Sequence, residues 1–306
     1  MNVRITPRLA LLMTLPPVLW AGNAVVGRLA VGQVPPLTLN ALRWLLALAI
    51  LLPLGWNAIA TREARRAVLE RWRPLSALGL LGVGCYNALQ YTALATSTAL
   101  NVTLIASSLP VWMLAIGALF YGQRPTRREL LGAALSLGGV AVVLARGDAS
   151  QLAQVRFVPG DLLMIAAIVA WAFYSWLLAR PHPLLAGEAR PKWDWAAFLL
   201  VQTIFGVGWA GAAAGIEAIV LPRSVEWSPA VLMALAYVAI GPSLIAYRCW
   251  GLGVVSAGPA VAAFFGNLTP LFAAVLSAAV LGETPHAYHA VAFTLIVMGI
   301  VVSTRR

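Results

Sequence analysis

The chain has 306 residues, of which 61% are hydrophobic and only 10% are charged, against roughly 45 to 50% and about 25% in ordinary soluble domains. No water-soluble fold has enough interior to hide that much apolar surface, so the composition excludes a soluble globular protein and makes the lipid bilayer the solvent. The formal charge of +11 would suggest nucleic acid in a soluble protein, but Lys192 is the only lysine, and the arginines sit in short connectors instead of one stripe. That distribution is the one the positive-inside rule describes, and it argues against a nucleic-acid partner.

Apolar runs and their breakers predict ten helical spans. In the first half they cover 9–31, 37–55, 75–95, 98–121 and 128–145. In the second they cover 160–179, 195–220, 228–249, 257–281 and 287–303. The first run resembles a signal peptide, with Arg4 and Arg8 ahead of it and Ala21, Gly22 and Ala24 within it. It continues to Val31, however, which favours a retained helix. So many spans leave no room for a separate soluble domain. Cys85 and Cys249 fall inside spans and behave as small buried hydrophobes. His182, His286 and His289 lie in or beside connectors, so neither a metal site nor a cofactor is expected.

Counting basic residues on alternate sides sets the expected orientation. With a cytoplasmic N-terminus, sixteen basic residues fall on the inner side, and three, Arg146, Arg156 and Arg223, fall on the outer. Both termini are therefore expected in the cytoplasm. A shift of 160 residues aligns Pro110 with Pro270, Gly122 with Gly282, Pro125 with Pro285 and Gly139 with Gly299. Five spans per half is an odd number, so the second copy enters the membrane from the opposite side. The expected organisation is two inverted repeats, 1–150 and 151–306, as in many carriers.

Three motifs carry a family resemblance. Pro36-Leu37-Thr38-Leu39-Asn40-Ala41-Leu42-Arg43-Trp44 opens the second span. Gly160-Asp161-Leu162-Leu163 followed by Trp171-Ala172-Phe173-Tyr174-Ser175 forms the sixth, and Gly282-Glu283-Thr284-Pro285 follows the ninth. Together they resemble the drug/metabolite transporter superfamily with its paired EamA-type repeats, over essentially the whole chain. Within it the chain is similar to aromatic amino acid exporters of the YddG type. The resemblance implies an all-α membrane protein, a ten-helix basket whose central cavity is lined mainly by spans 1, 3, 4, 6, 8 and 9.

Polar residues are costly to expose to lipid, so polar stripes at helical spacing mark a protein-facing or water-facing surface. Candidate substrate-binding residues follow: Trp20 and Asn23 in span 1, Tyr86 and Gln90 in span 3, Asn101 and Ser108 in span 4, Trp171 and Tyr174 in span 6, Tyr237 in span 8, and Phe264 and Asn267 in span 9. Amides and hydroxyls would hold the polar groups of a substrate while aromatic faces take its side chain. The competing explanation for each is a hydrogen bond that simply glues helices together. Pro110 and Pro270 are expected to break their spans. Arg43 is expected to tie helix ends together, with Glu283 as its partner, although a buried arginine also attracts carboxylates. Gly211 and Gly215 form a small-xxx-small pair read as helix packing.

No Asp or Glu lies in the middle of any span, so tight proton coupling is not expected. The sequence thus points to a secondary transporter that exports or exchanges amino acids, aromatic and other neutral ones first, by alternating access. An exporter of hydrophobic cations or drugs is the main alternative, with a channel next and an intramembrane enzyme last. The expected surroundings are a lipid bilayer and a small-molecule substrate, with one chain as the working unit.

Overall fold

A computed structural model describes residues 5–30, 32–97, 99–153, 157–281 and 286–304. Among the described residues all regular structure is helical. The first half holds α1 (Pro7–Leu29), α2 (Pro36–Leu54) and a short helix α3 (Arg62–Glu70). A long rod follows, made of α4 (Trp72–Leu78), a π-helical segment (Gly79–Cys85) and α5 (Tyr86–Thr96). Then come α6 (Ala99–Ala106), α7 (Leu109–Tyr121), α8 (Arg127–Leu144) and the single turn α9 (Ser150–Ala153). The second half holds α10 (Pro159–Ala179), α11 (Trp195–Val220), and a rod of α12 (Pro229–Val238), a π segment (Ala239–Ile245) and α13 (Ala246–Ala257). It ends with α14 (Pro259–Gly266), α15 (Thr269–Leu281) and α16 (Ala287–Thr304).

Among the described residues six helical stretches are long and apolar enough to cross a membrane: Pro36–Leu54, Val102–Tyr121, Pro159–Ala179, Trp195–Val220, Pro229–Ala257 and Ala287–Thr304. Helix covers each expected span, with two corrections. The eighth was expected to stop at 249, but α13 continues to Ala257, where Gly258 turns the chain with φ 91°. Arg248 is carried inside that helix because its guanidinium stacks 5.3 Å from the ring of Trp195, which shields the charge. The second concerns the connector after α2, which contains the helix α3, capped by Thr61 accepting from the Ala64 amide.

Repetition extends to local detail. A shift of 160 residues carries the first π segment onto the second, α6 onto α14, α7 onto α15 and α8 onto α16, end to end. Both broken spans break at the same place, Ser107-Ser108 and Asn267-Leu268, and Pro110 and Pro270 each stand second in the helix that follows. Proline costs little there, because the first turn of a helix has no internal partner for its N–H groups.

Repeat-related helices also pack on one another. Gly132 of α8 meets Gly299 of α16, and Gly139 meets Ala292, so the two helices run antiparallel. A Cβ at Gly132 would lie 2.7 Å from the Gly299 carbonyl oxygen, and one at Gly299 equally close to that of Gly132. Small residues allow this contact, the usual means of close helix packing where no hydrophobic effect drives association. The Gly211 and Gly215 pair does not serve that purpose, since a Cβ at either would meet nothing within 4 Å.

Glu217, in the last turn of α11, caps α2. Its carboxylate accepts from the Leu37 amide at 3.0 Å, the Thr38 amide at 2.8 Å and the Thr38 hydroxyl at 2.9 Å. Pro35 offers no side-chain cap, so this acid answers the unpaired amides and the positive end of the helix dipole. Finally, α1 packs against α13, α14 and α15, while α10 packs against α5, α6 and α7. Each half lends its first helix to the other, and α1 and α10 meet through the rings of Trp20 and Trp171.

Gly132→Val should force α8 from α16 and lower stability by about 1–3 kcal/mol, the usual cost of overpacking. Gly211→Ala, with open space for its Cβ in the interior of α11, should raise the thermal midpoint in detergent slightly, since alanine is favoured over glycine in a helix by about 0.5–1 kcal/mol.

Candidate functional site

A π-helical turn widens the helix and leaves carbonyls without their usual donors. Here side chains, most of them from other helices, answer several of them. The Pro242 ring removes one N–H from the second π segment, and the Ser243 hydroxyl donates to the Val238 carbonyl at 2.7 Å in its stead. Pro242's own carbonyl accepts from Trp20 Nε1 at 3.3 Å. In the first π segment, the Gly82 carbonyl accepts from the Tyr247 hydroxyl, and the Val83 carbonyl from Asn40 Nδ2 at 3.0 Å. Glycines make the approach possible, because a Cβ at Gly82 would lie 2.7 Å from the Tyr174 ring.

Between these elements lies a central cavity of about 110 Å³, lined by Trp20, Asn23, Tyr86, Gln90, Ser107, Trp171 and Pro270 among others. Its walls include Leu94, Val102 and Thr103, so it reaches toward the α5–α6 connection. Trp171, only 2% exposed, forms its base. The indole packs against five other rings: Trp20 at 5.4 Å, Tyr86 at 5.1 Å, Tyr174 at 5.0 Å, Tyr247 at 5.2 Å and Trp250 at 5.5 Å between centroids. Each such pair adds about 0.5–1.5 kcal/mol beyond its buried area, so this block is a firm partition.

A second cavity of about 270 Å³ lies beyond the partition, lined by Tyr174, Tyr247, Gln202, Trp195, Arg190 and Arg248. It sits where α10 ends and α11 begins, the opposite end of α10 from the α5–α6 connection, which touches Gly160. Tyr174 donates to Gln202 Oε1 at 3.3 Å on that side. One aromatic cluster thus stands between the two cavities, with Trp171 lining the central one and Tyr174 and Tyr247 lining the second.

Arg43 is the other unusual element. It is 1% exposed and lies in mid-molecule. Its Nε and Nη2 donate to Ser243 Oγ at 3.0 and 2.8 Å, and its Nη1 donates to Tyr91 Oη at 2.7 Å and Asn23 Oδ1 at 3.2 Å. Tyr91 donates in turn to Asn23 Oδ1 at 2.9 Å. Among the described residues no carboxylate stands within ion-pair distance of it; the ion pairs there are Arg66 and Arg71 with Glu70.

The expected residues therefore separate. Trp20, Asn23, Tyr86, Gln90, Trp171 and Pro270 come together at the central cavity, while Tyr174 lines the second. Both serines at the break donate to their own helix, Ser108 to the Ile105 carbonyl at 2.5 Å and Ser107 to the Thr103 carbonyl at 2.8 Å, and of the two Ser107 lines the cavity. Tyr237 donates to the Leu19 carbonyl at 2.8 Å and packs on Gly22, tying α12 to α1. Phe264 is fully buried in the packing between α8, α14 and α16, and Asn267 Nδ2 donates to Ser136 Oγ at 3.0 Å; both join helices. Pro110 is buried at the start of α7. The Asn101 side chain and Glu283 lie outside the described residues, and with them the expected Arg43–Glu283 contact. Arg43 ties mid-span segments of α1, α2, α5 and the second π segment, not helix ends.

Sequence reading missed Tyr247, Trp250, Ser243 and Glu217. A signal for two of them was present, since the 160-residue shift carries Asn87 to Tyr247 and Gln90 to Trp250.

The chain belongs to the EamA-like transporter family, which matches it over residues 8–145 and again over 158–305. It is thus a membrane transport protein built on two copies of one repeat. Among its relatives, an uncharacterized transporter of Archaeoglobus fulgidus is 27% identical, covering 97% of each chain. The aromatic amino acid exporter YddG of Ancylobacter novellus is 26% identical over 94% of this chain and 93% of its own. A probable terminal-alkyne amino-acid exporter of Streptantibioticus cattleyicolor is 25% identical over 76% and 73%. A solved crystal structure superposes with a TM-score of 0.74 at 23% identity, covering 96% of both chains, which establishes the shared fold.

The two serines at the break of the fourth span separate site from scaffold. Each of Ser107→Val and Ser108→Ala removes one hydrogen bond to the serine's own helix, about 0.5–1.5 kcal/mol of stability, but only Ser107→Val should change the initial rate of transport per folded molecule.

Proposed function

We propose that the protein is a secondary transporter of neutral amino acids, aromatic ones foremost, across the cytoplasmic membrane. It carries ten spans as two inverted repeats of five, with both termini in the cytoplasm. The observation that carries this reading is the aromatic partition around Trp171, with one cavity on each side of it. Amides at Asn23 and Gln90 suit the charged ends of an amino acid, and the faces of Trp20, Tyr86 and Trp171 suit an apolar side chain. The antiparallel packing of α8 on α16 supports the inversion. Two relatives named as amino-acid exporters support the substrate class, and the YedA protein of Escherichia coli, named as an inner membrane transporter, supports the location.

Size constrains the mechanism. The central cavity holds about 110 Å³, less than the roughly 300 Å³ at the low end of ligand pockets. An aromatic amino acid therefore binds only as the cavity widens. The π segments and the breaks at Ser107-Ser108 and Asn267-Leu268 are where helices already depart from regular hydrogen bonding, and they supply the give. Opening one cavity while the partition shuts the other moves substrate by alternating access. Among the described residues no acidic side chain lines either cavity, so transport runs down the substrate gradient or by exchange.

Reconstituted into liposomes, the protein should show saturable, counterflow-stimulated uptake of phenylalanine or tryptophan. Trp171→Ala and Gln90→Ala should each lower the flux about tenfold, the scale of one lost contact worth ~1.4 kcal/mol. Unchanged flux and selectivity in both variants would contradict the site. Uptake that depended strictly on an imposed pH gradient would contradict the uncoupled mechanism.

A further inference from the structure

Resting on the central cavity as the substrate site, we infer that Arg43 is the positioning residue that makes the transporter select a carboxylate, acting through Asn23. A guanidinium in this position is expensive to keep. It is 1% exposed, and its hydrogen bonds go to a serine, a tyrosine and an amide, all neutral. Neutral partners satisfy its N–H groups and the Trp44 ring lies 5.6 Å from the guanidinium, but among the described residues no counter-charge pairs with it, which is the costly way to bury an ion. Helix gluing alone does not call for it, because uncharged pairs such as Asn267 with Ser136 join helices elsewhere in this chain.

The geometry directs that charge into the cavity. Asn23 lines it, and its Oδ1 is taken by both Arg43 Nη1 and Tyr91. With the carbonyl end so occupied, what the amide has to offer a ligand is its Nδ2, a donor with two N–H groups. A donor backed by a positive charge matches a carboxylate oxygen. Trp20 Nε1, by contrast, is already given to the Pro242 carbonyl. An ammonium group finds a different wall, Gln90 and the faces of Trp20 and Trp171, where amide oxygen and ring quadrupoles accept a cation. A zwitterion satisfies both ends. An amine lacking the carboxylate meets Arg43 as a like charge at low dielectric. This deepens the amino-acid reading and opposes the alternative of a hydrophobic-cation exporter.

The test is inhibition of radiolabelled phenylalanine counterflow in proteoliposomes by a series of one shape: phenylalanine, 3-phenylpropionate, phenylalaninamide and phenethylamine. For the parent protein, the two carboxylates should compete at least about tenfold better than the amide and the amine, the scale of a single partly screened charge contact. Arg43→Gln should abolish that difference and raise KM for phenylalanine with little change in maximal rate, and Arg43→Lys should restore the preference. Asn23→Asp guards against a variant that fails to fold, because it gives Arg43 an acid partner in place. It should keep the thermal midpoint and shift preference toward the amine. Equal competition by all four compounds in the parent would overturn the role of Arg43 while leaving an amino-acid carrier. So would a carboxylate preference that survives in folded Arg43→Gln or Asn23→Asp. No phenylalanine flux and no competition at all would overturn the site reading itself, and this inference with it.

Discussion

Inside a membrane every backbone amide and carbonyl must find its partner within the protein, since hydrocarbon offers none. Regular helices meet that condition by themselves. Among the described residues, the spans of this chain depart from regular helix at four places near its centre, two π segments and two breaks, and the rest of the structure is arranged around meeting the condition there. Tyr247 serves Gly82, Asn40 serves Val83, Trp20 serves Pro242 and Ser243 serves Val238. Trp176 Nε1 reaches the Met113 carbonyl near the break in the fourth span at 2.9 Å. The donors are mostly aromatic or amide side chains from other helices. Satisfying the backbone therefore concentrates rings and amides around one central void, and the candidate site is a product of the same requirement.

The repeat explains why these departures come in pairs. A shift of 160 residues superposes π segment on π segment and break on break, but the side chains that answer them differ. Val83 stands where the second copy has Ser243, and Thr203 stands where the first has Arg43. One copy of the contact between α2 or α11 and the opposing π segment is thus uncharged, while the other holds a buried guanidinium. Symmetry of backbone with asymmetry of charge gives the cavity a polar side and an aromatic side, which a symmetric dimer of one repeat would lack.

Much of this was legible in the sequence, for identifiable reasons. Span positions follow from hydropathy because each crossing must supply enough apolar length. The repeat was visible through Pro110, Pro270, Gly139 and Gly299, residues fixed by backbone needs that both copies share. Six of the expected site residues do meet at one cavity, because polar groups at helical spacing in adjoining spans converge. What sequence did not reveal were contacts between distant spans. Phe264 and Asn267 have the right spacing for a cavity but turn toward α8 and α16, a choice set by tertiary packing. Arg43 was visible as a buried charge, yet its partners Asn23, Tyr91 and Ser243 come from three other segments of the chain. Glu217 was passed over because its task, capping α2, exists only once α11 lies alongside.

The central claim is that one partition separates two cavities that open alternately. Single cysteines at Gln90, in the central cavity, and Gln202, in the second, can be introduced with Cys85 and Cys249 replaced by serine. A membrane-impermeant thiol reagent is then applied to either side of sealed, oriented vesicles, with and without phenylalanine. The account requires each cysteine to react from one side only, and substrate to change the two reactivities in opposite directions. Simultaneous labelling of either position from both sides, unaffected by substrate, would mean a continuous pore and would contradict it.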